Sequence, residues 1–235
     1  MVLRVRPTWA PFAALSLATL LCACATPHVS LREGAREYVA SDYPQVLDRW
    51  TRQRSLITAA EMDDVLTVTA TYESWDFRWA YAIRYAQDYR LTVDERRTLL
   101  DKMLKETKEG HLFYVALYGT TQRWSDLTRA DPAWIVRLID DQGNETAPAG
   151  IEKVDRPGSL ERRYFPYTTV WRRVFRIRFP RFSADGKTPT IAPNATFVGL
   201  RFAGAEGNQE LKWELDKTAA TAVALGPGEV NLDAR

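Results

Sequence analysis

From Val65 to Tyr72 the chain alternates: Leu66, Val68, Ala70 and Tyr72 fall on one side, the threonines and Val65 on the other, which predicts a half-buried strand. From Trp75 to Tyr89 the spacing turns helical, with Trp75, Trp79, Ala82, Ile83 and Ala86 on one face. Thr92-Val93-Asp94-Glu95 fits a capping box, in which hydroxyl and carboxylate satisfy each other's free backbone donors. A second helix follows, burying Leu99, Leu100, Met103 and Leu104 and ending at Gly110, so residues 75–109 read as a helical hairpin. Upstream, Leu31–Trp50 is helix-prone, and Pro44 after Ser41-Asp42 marks a fresh N-terminus, giving two short helices.

After Gly110 the pattern becomes short β-rich runs: Leu112–Tyr118, Trp134–Asp140, Ile151–Val154, Val170–Phe179, Thr196–Ala203 and Glu210–Leu215. Turn chemistry separates them, at Asp141-Gln142-Gly143-Asn144, Arg156-Pro157-Gly158, Asp185-Gly186 and Gly204-Ala205-Glu206-Gly207. The expected fold is mainly β with an α insertion: an immunoglobulin-like antiparallel β-sandwich carrying the helical hairpin, preceded by N-terminal helices.

Composition bounds the chemistry. The chain is 46% hydrophobic and 26% charged, within the globular range, and its net charge of +2 implies no polyanion partner through the whole-molecule field. Its two cysteines, Cys22 and Cys24, both end the N-terminal apolar stretch, which leaves the body after them without a disulfide framework, thiolate metal site or cysteine nucleophile.

That N-terminal stretch has the layout of an export signal: Arg4 and Arg6, then an apolar run from Trp9 to Leu21 that is short of the ~20 residues a spanning helix needs. At its end Leu21-Cys22-Ala23-Cys24 resembles the bacterial lipobox: leucine, a variable residue, a small residue, then the acylated cysteine. Cys22 is the poorer lipid site, because Leu21 stands where a small residue is needed. The resemblance covers the leader alone. It implies that Cys24 is diacylated and becomes the first residue of an exported lipoprotein anchored to the cell envelope, and Ala25 in place of aspartate implies the outer membrane where the source has two. The expected organisation is 1–23 signal peptide, 24–62 lipid anchor, tether and short helices, 63–217 sandwich domain with its insertion at about 75–109, and 218–235 loose tail.

Within the body the most distinctive pattern is basic. Trp171, Arg173, Phe175, Ile177 and Phe179 share one parity, and Val170, Arg172, Val174, Arg176 and Arg178 the other, so one face reads as core and the other as cationic. Arg172, Arg176 and Arg178 are therefore the candidate surface for an anionic glycan, lipid headgroup or acidic envelope protein; the alternative is an outward face whose arginines guard the sheet against edge pairing. Tyr81 and Tyr85 fall off the helical apolar stripe and form a candidate partner face, with packing against the sheet as the alternative.

Candidate chemistry is otherwise sparse. His28 sits in the tether and His111 at a helix-to-strand junction, so no Ser-His-Asp set or multi-histidine metal site can be assembled. Glu61, Asp63 and Asp64, and Asp140 with Asp141, lack the spacing of a calcium loop. The sequons at Asn144 and Asn194 follow a bacterial-type leader, which argues against their modification. No catalytic residue, metal or cofactor is expected, and export argues against nucleic acid. The leading expectation is a non-enzymatic, membrane-anchored binding or assembly module. The rivals are an envelope hydrolase using scattered carboxylates and a carrier of lipid or a small ligand.

Overall fold

A computed structural model of the chain describes residues 27–57, 64–119 and 124–216. The leader with Cys24, Glu61, Asp63 and the tail from residue 218 lie outside the described residues. Nine strands are described in chain order: β1 (Thr51–Ile57), β2 (Asp64–Tyr72), β3 (Gly110–Tyr118), β4 (Ile135–Asp140), β5 (Glu145–Thr146), β6 (Gly150–Val154), β7 (Arg173–Pro180), β8 (Phe197–Gly204) and β9 (Gly207–Glu214). The helices are α1 (Tyr43–Trp50), α2 (Trp75–Asp88), α3 (Val93–Glu109) and α4 (Ser159–Tyr164). The strands form two antiparallel sheets, of order β1-β2-β3-β7-β6 and β5-β4-β8-β9. Both α2 and α3 lie in the chain between β2 and β3, which are neighbours in the first sheet.

Residues paired across antiparallel strands point to the same side, so Tyr72, Phe113 and Ile177 share a face with Ala70, Val115 and Phe175. That face meets the second sheet: Phe113 lies 5.5 Å and Tyr72 6.1 Å from the Trp213 ring. Leu200, Phe202, Leu211 and Trp213 are all buried beneath it. At ~1.5–3 kcal/mol for each fully buried large side chain, this apolar layer is the main force holding the sheets together.

The opposite face of the first sheet is also covered. Thr67, Thr69 and Thr71 are buried, so β2 is enclosed on both sides and not half-buried. Their cover comes from ~100 residues along the chain: Tyr167 Oη shares a 2.6 Å hydrogen bond with Thr71 Oγ1, and Arg172 Nη1 donates to Thr69 Oγ1 at 2.6 Å. Phe165 stacks on Tyr114 at 3.9 Å, and Tyr43, Phe77, Tyr81 and Tyr164 extend this aromatic layer under α2.

Two N-terminal expectations are corrected. Residues 31–39 form no helix, because the segment is held extended across the body: Val29 N–H donates to Glu214 O at 2.8 Å, Asp216 N–H donates to Val29 O at 2.9 Å, and Arg36 reaches Asp76. The helix begun at Pro44 does form, as α1, burying Tyr43, Val46 and Trp50. Nor does the β domain begin at residue 63: β1 is an edge strand of the first sheet, and Val29 bridges Leu215.

On α2 the buried residues are Asp76, Phe77, Ala80, Tyr81, Ala82 and Ala86. The stripe expected through Trp75 and Trp79 is rotated, and both tryptophans are half-exposed. Asp76 explains the turn. It accepts from Arg36 Nε (2.9 Å), Tyr38 Oη (2.8 Å) and Trp50 Nε1 (2.9 Å), with Arg49 at 3.5 Å, and so clamps the N-terminal segment and α1 to the start of α2. The Thr92 capping box is present as expected: Thr92 N–H donates to Glu95 Oε2 at 2.8 Å and Glu95 N–H to Thr92 Oγ1 at 3.3 Å.

Candidate functional site

Between α2, α3 and the β7–β6 edge of the first sheet lies an open cleft of about 610 Å³, within the ~300–1,000 Å³ usual for ligand sites. Periodicity places its lining. Leu99, Lys102, Met103 and Glu106 recur at three- and four-residue steps and share one face of α3, while Arg176 and Arg178 alternate with core residues on β7. On α2, Phe77, Arg78 and Tyr81 complete the wall, and Gly150 and Glu152 of β6 form the rim. Around Gly150 there is open space, with nothing within 4 Å of the position a Cβ would take.

The charges divide into spent and free. Arg78 pairs with Glu73 and, at 3.4 Å, with Glu106, so both acids are neutralised inside the wall. Its Nε is buried with no acceptor among the described residues, at a cost of roughly 1–3 kcal/mol, which makes those two pairs its whole support. Arg176 is held loosely by Glu161 at 3.9 Å. Lys102 and Arg178 have no carboxylate within 4.0 Å among the described residues, so the cleft presents uncommitted positive charge above a floor of Phe77, Met103, Leu112 and Phe165. Burial, followed by the nearby Glu73 charge, raises the Tyr81 phenol above its usual range, so it stays a neutral donor in the wall.

No protein-family model matches the chain, and no curated protein matches it. A solved structure, that of a novel protein of unknown function from Burkholderia pseudomallei, is similar to it at 12% identity and a TM-score of 0.38, over 80% of this chain and 94% of that one.

The structure redistributes the residues singled out from sequence. Arg176 and Arg178 share the cleft, but Arg172 does not join them: it lies half-buried across Thr69. The face that carries them is not the bare outer sheet surface expected, because α2, α3 and the Phe165–Tyr167 segment cover most of it. The outward Tyr81–Tyr85 face is not formed either. Tyr81 is only 8% exposed and packs 4.8 Å from the Tyr164 ring; Tyr85 is half-buried and stacks on Tyr89 at 4.2 Å.

The acids expected to be solvated are structural. Asp140 accepts from Gln142 N (3.0 Å), Asn144 N (3.0 Å), Asn144 Nδ2 (2.8 Å) and Ala192 N (2.9 Å), fixing the β4–β5 turn. Asp141 accepts from Thr196 N and Oγ1 at 2.9 and 2.7 Å. Among the described residues no group of three His, Cys, Asp or Glu side chains could hold a metal ion, and no helix is long and apolar enough to cross a membrane. His111 is buried, with Nδ1 2.7 Å from Tyr72 Oη, and desolvation takes its pKa down to about 3.

Sequence reasoning passed over Glu73, Arg78, Lys102, Glu106 and Glu152. For Lys102 and Glu106 a signal existed, since they sit four apart on a capped helix flanked by Leu99 and Met103. For Glu73, Arg78 and Glu152 the pairing across sheet and helix is not encoded in local spacing.

Proposed function

We propose that the protein is an exported envelope lipoprotein, held on a membrane by acyl chains on Cys24, and that it is a non-enzymatic binding or assembly module whose cleft receives an anionic group of another envelope component. The observation that carries the binding reading is the pair Lys102 and Arg178, both without carboxylate partners among the described residues, at a cleft with an apolar floor. A charge pair formed there is partly desolvated, which strengthens it relative to one in open water. Against a carboxylate hydrolase stands the commitment of Glu73 and Glu106 to Arg78, which leaves neither free to act as general acid or base. The anchor reading rests on the lipobox-like Leu21-Cys22-Ala23-Cys24.

The same reading takes the body as an immunoglobulin-like sandwich with α2 and α3 as an inserted helical hairpin. Two features support it: the apolar faces of the two sheets meet through Phe113 and Trp213, and both helices fall between sheet neighbours β2 and β3. Fold class does not choose the ligand; the cleft residues do.

A photo-crosslinking side chain at Glu152, on the cleft rim, tests the binding reading in the expressing cell. One dominant adduct is expected, falling roughly tenfold in Lys102→Glu/Arg178→Glu, a loss of ~1.4 kcal/mol or more. Gly150→Phe, whose ring enters open space, should block the same adduct without altering charge. An adduct unchanged in both variants would sink the cleft as the binding site. A hydrolytic activity of the purified protein abolished by one substitution would replace the binder with the enzyme.

A further inference from the structure

Thr169 to Arg172 form a tight turn, with Arg172 N–H donating to Thr169 O at 3.2 Å, and its two central residues are Val170 and Trp171. Such positions favour glycine, proline, asparagine and aspartate. Here they hold the two most exposed large apolar side chains described, at 81% and 79%. Both flanks are fixed: Thr168 is buried against Tyr114, Arg172 lies on Thr69, and Arg173 reaches Asp126 at 2.7 Å. The tip is therefore held out by its neighbours.

It has apolar company. Ile57 (62% exposed) ends β1 opposite Asp64, at the end of the first sheet where Leu117 pairs with Arg173. Ile135 (50% exposed) opens β4 opposite Ala203, beside the Gly204–Gly207 turn, and a Cβ on Gly207 would lie 3.5 Å from Leu56. Four of the eight exposed large apolar residues described thus gather at one end of the two-sheet body. Isolated exposed apolar residues are ordinary; a gathered set marks a contact surface.

The chain's own course names the occupant. Val29 runs parallel to β9, which leads from Gly207 at this end to Glu214 at the other, so traced backwards from Val29 the chain heads for the Val170–Trp171 end. Pro27 O is already fixed by Arg52 Nη2 at 3.1 Å, and the three residues from there to Cys24 span at most ~11 Å. Resting on the lipoprotein reading, we propose that this end of the body lies on the lipid bilayer, with Val170 and Trp171 entering its interface. An indole suits that boundary, with an apolar ring and one polar edge. Arg172 and Arg173 are engaged within the protein, so the contact is apolar and independent of headgroup charge.

The test uses the full mature protein, acylated at Cys24, in phosphatidylcholine vesicles with and without phosphatidylglycerol. Trp171→Cys places one free thiol in it, since the Cys24 sulfur is blocked, and carries an environment-sensitive fluorophore. Phe182→Cys gives the same probe on an exposed apolar site beyond Pro180, at the other end. At 171 the probe should shift to the blue and be quenched by a lipid-borne quencher, equally in both vesicle types; at 182 it should stay aqueous. Vesicle-bound protein whose 171 probe is as aqueous as its 182 probe overturns the docking face and leaves the anchor standing. Protein without acyl mass that fails to sediment with vesicles overturns the anchor, and the docking face with it.

Discussion

Asp76→Ala is expected to lower the stability of the folded protein by about 3–5 kcal/mol, the range for removing one partner of a buried charged network. Four donors converge on this 7%-exposed carboxylate, and its loss strands the Trp50 indole N–H, the Tyr38 hydroxyl and the Arg36 guanidinium in the interface between α1 and α2. Asp76→Asn keeps acceptor capacity but not the charge and should cost less. Urea denaturation should show the midpoint falling in that order with the slope unchanged. A midpoint near that of the unsubstituted protein for Asp76→Ala would mean the N-terminal segment is not clamped through this residue.

The second large effect is loss of stability on mild acidification. His111 is neutral in the folded state because burial takes its pKa from 6.5 to about 3. Between those values the unfolded chain binds a proton at His111 that the folded chain does not, so stability rises with pH across this window and falls as pH drops through it. The loss should reach roughly 2 kcal/mol by about pH 5. The carboxylates held low, among them Asp126 and Asp141, titrate below that point and add a separate, more acidic loss. His111→Gln, which can still hydrogen bond to Tyr72 but does not titrate, should flatten the curve between about pH 6.5 and 5. Parallel curves for the two proteins would rule His111 out as the cause.

The legible parts of this molecule were those governed by local periodicity. The two-residue repeat on β7 sorted Phe175, Ile177 and Phe179 into the core and Arg176 and Arg178 onto the other face, and Thr92 with Glu95 announced the start of α3. β1 went unseen because Arg52, Arg54 and Leu56 carry no alternating apolar signal. The strand is held by its backbone pairing to β2, and Arg52 lies 6.0 Å from the Trp213 ring. The burial of the β2 threonines, the rotation of α2 about Asp76, and the inward turn of Tyr81 each depend on residues tens of positions away. The cleft was half legible: its β7 arginines were visible in the pattern, whereas the spending of Glu73 and Glu106 on Arg78 was not.

The lipid anchor decides where this chemistry operates. Intact mass and membrane fractionation of the expressed protein, beside a Cys24→Ser form, test it most directly. The account predicts acyl mass on the unsubstituted protein, cut before Cys24 and sedimenting with membrane, and neither acyl mass nor sedimentation for Cys24→Ser. A soluble, unacylated unsubstituted protein, indistinguishable from the Cys24→Ser form, would contradict it.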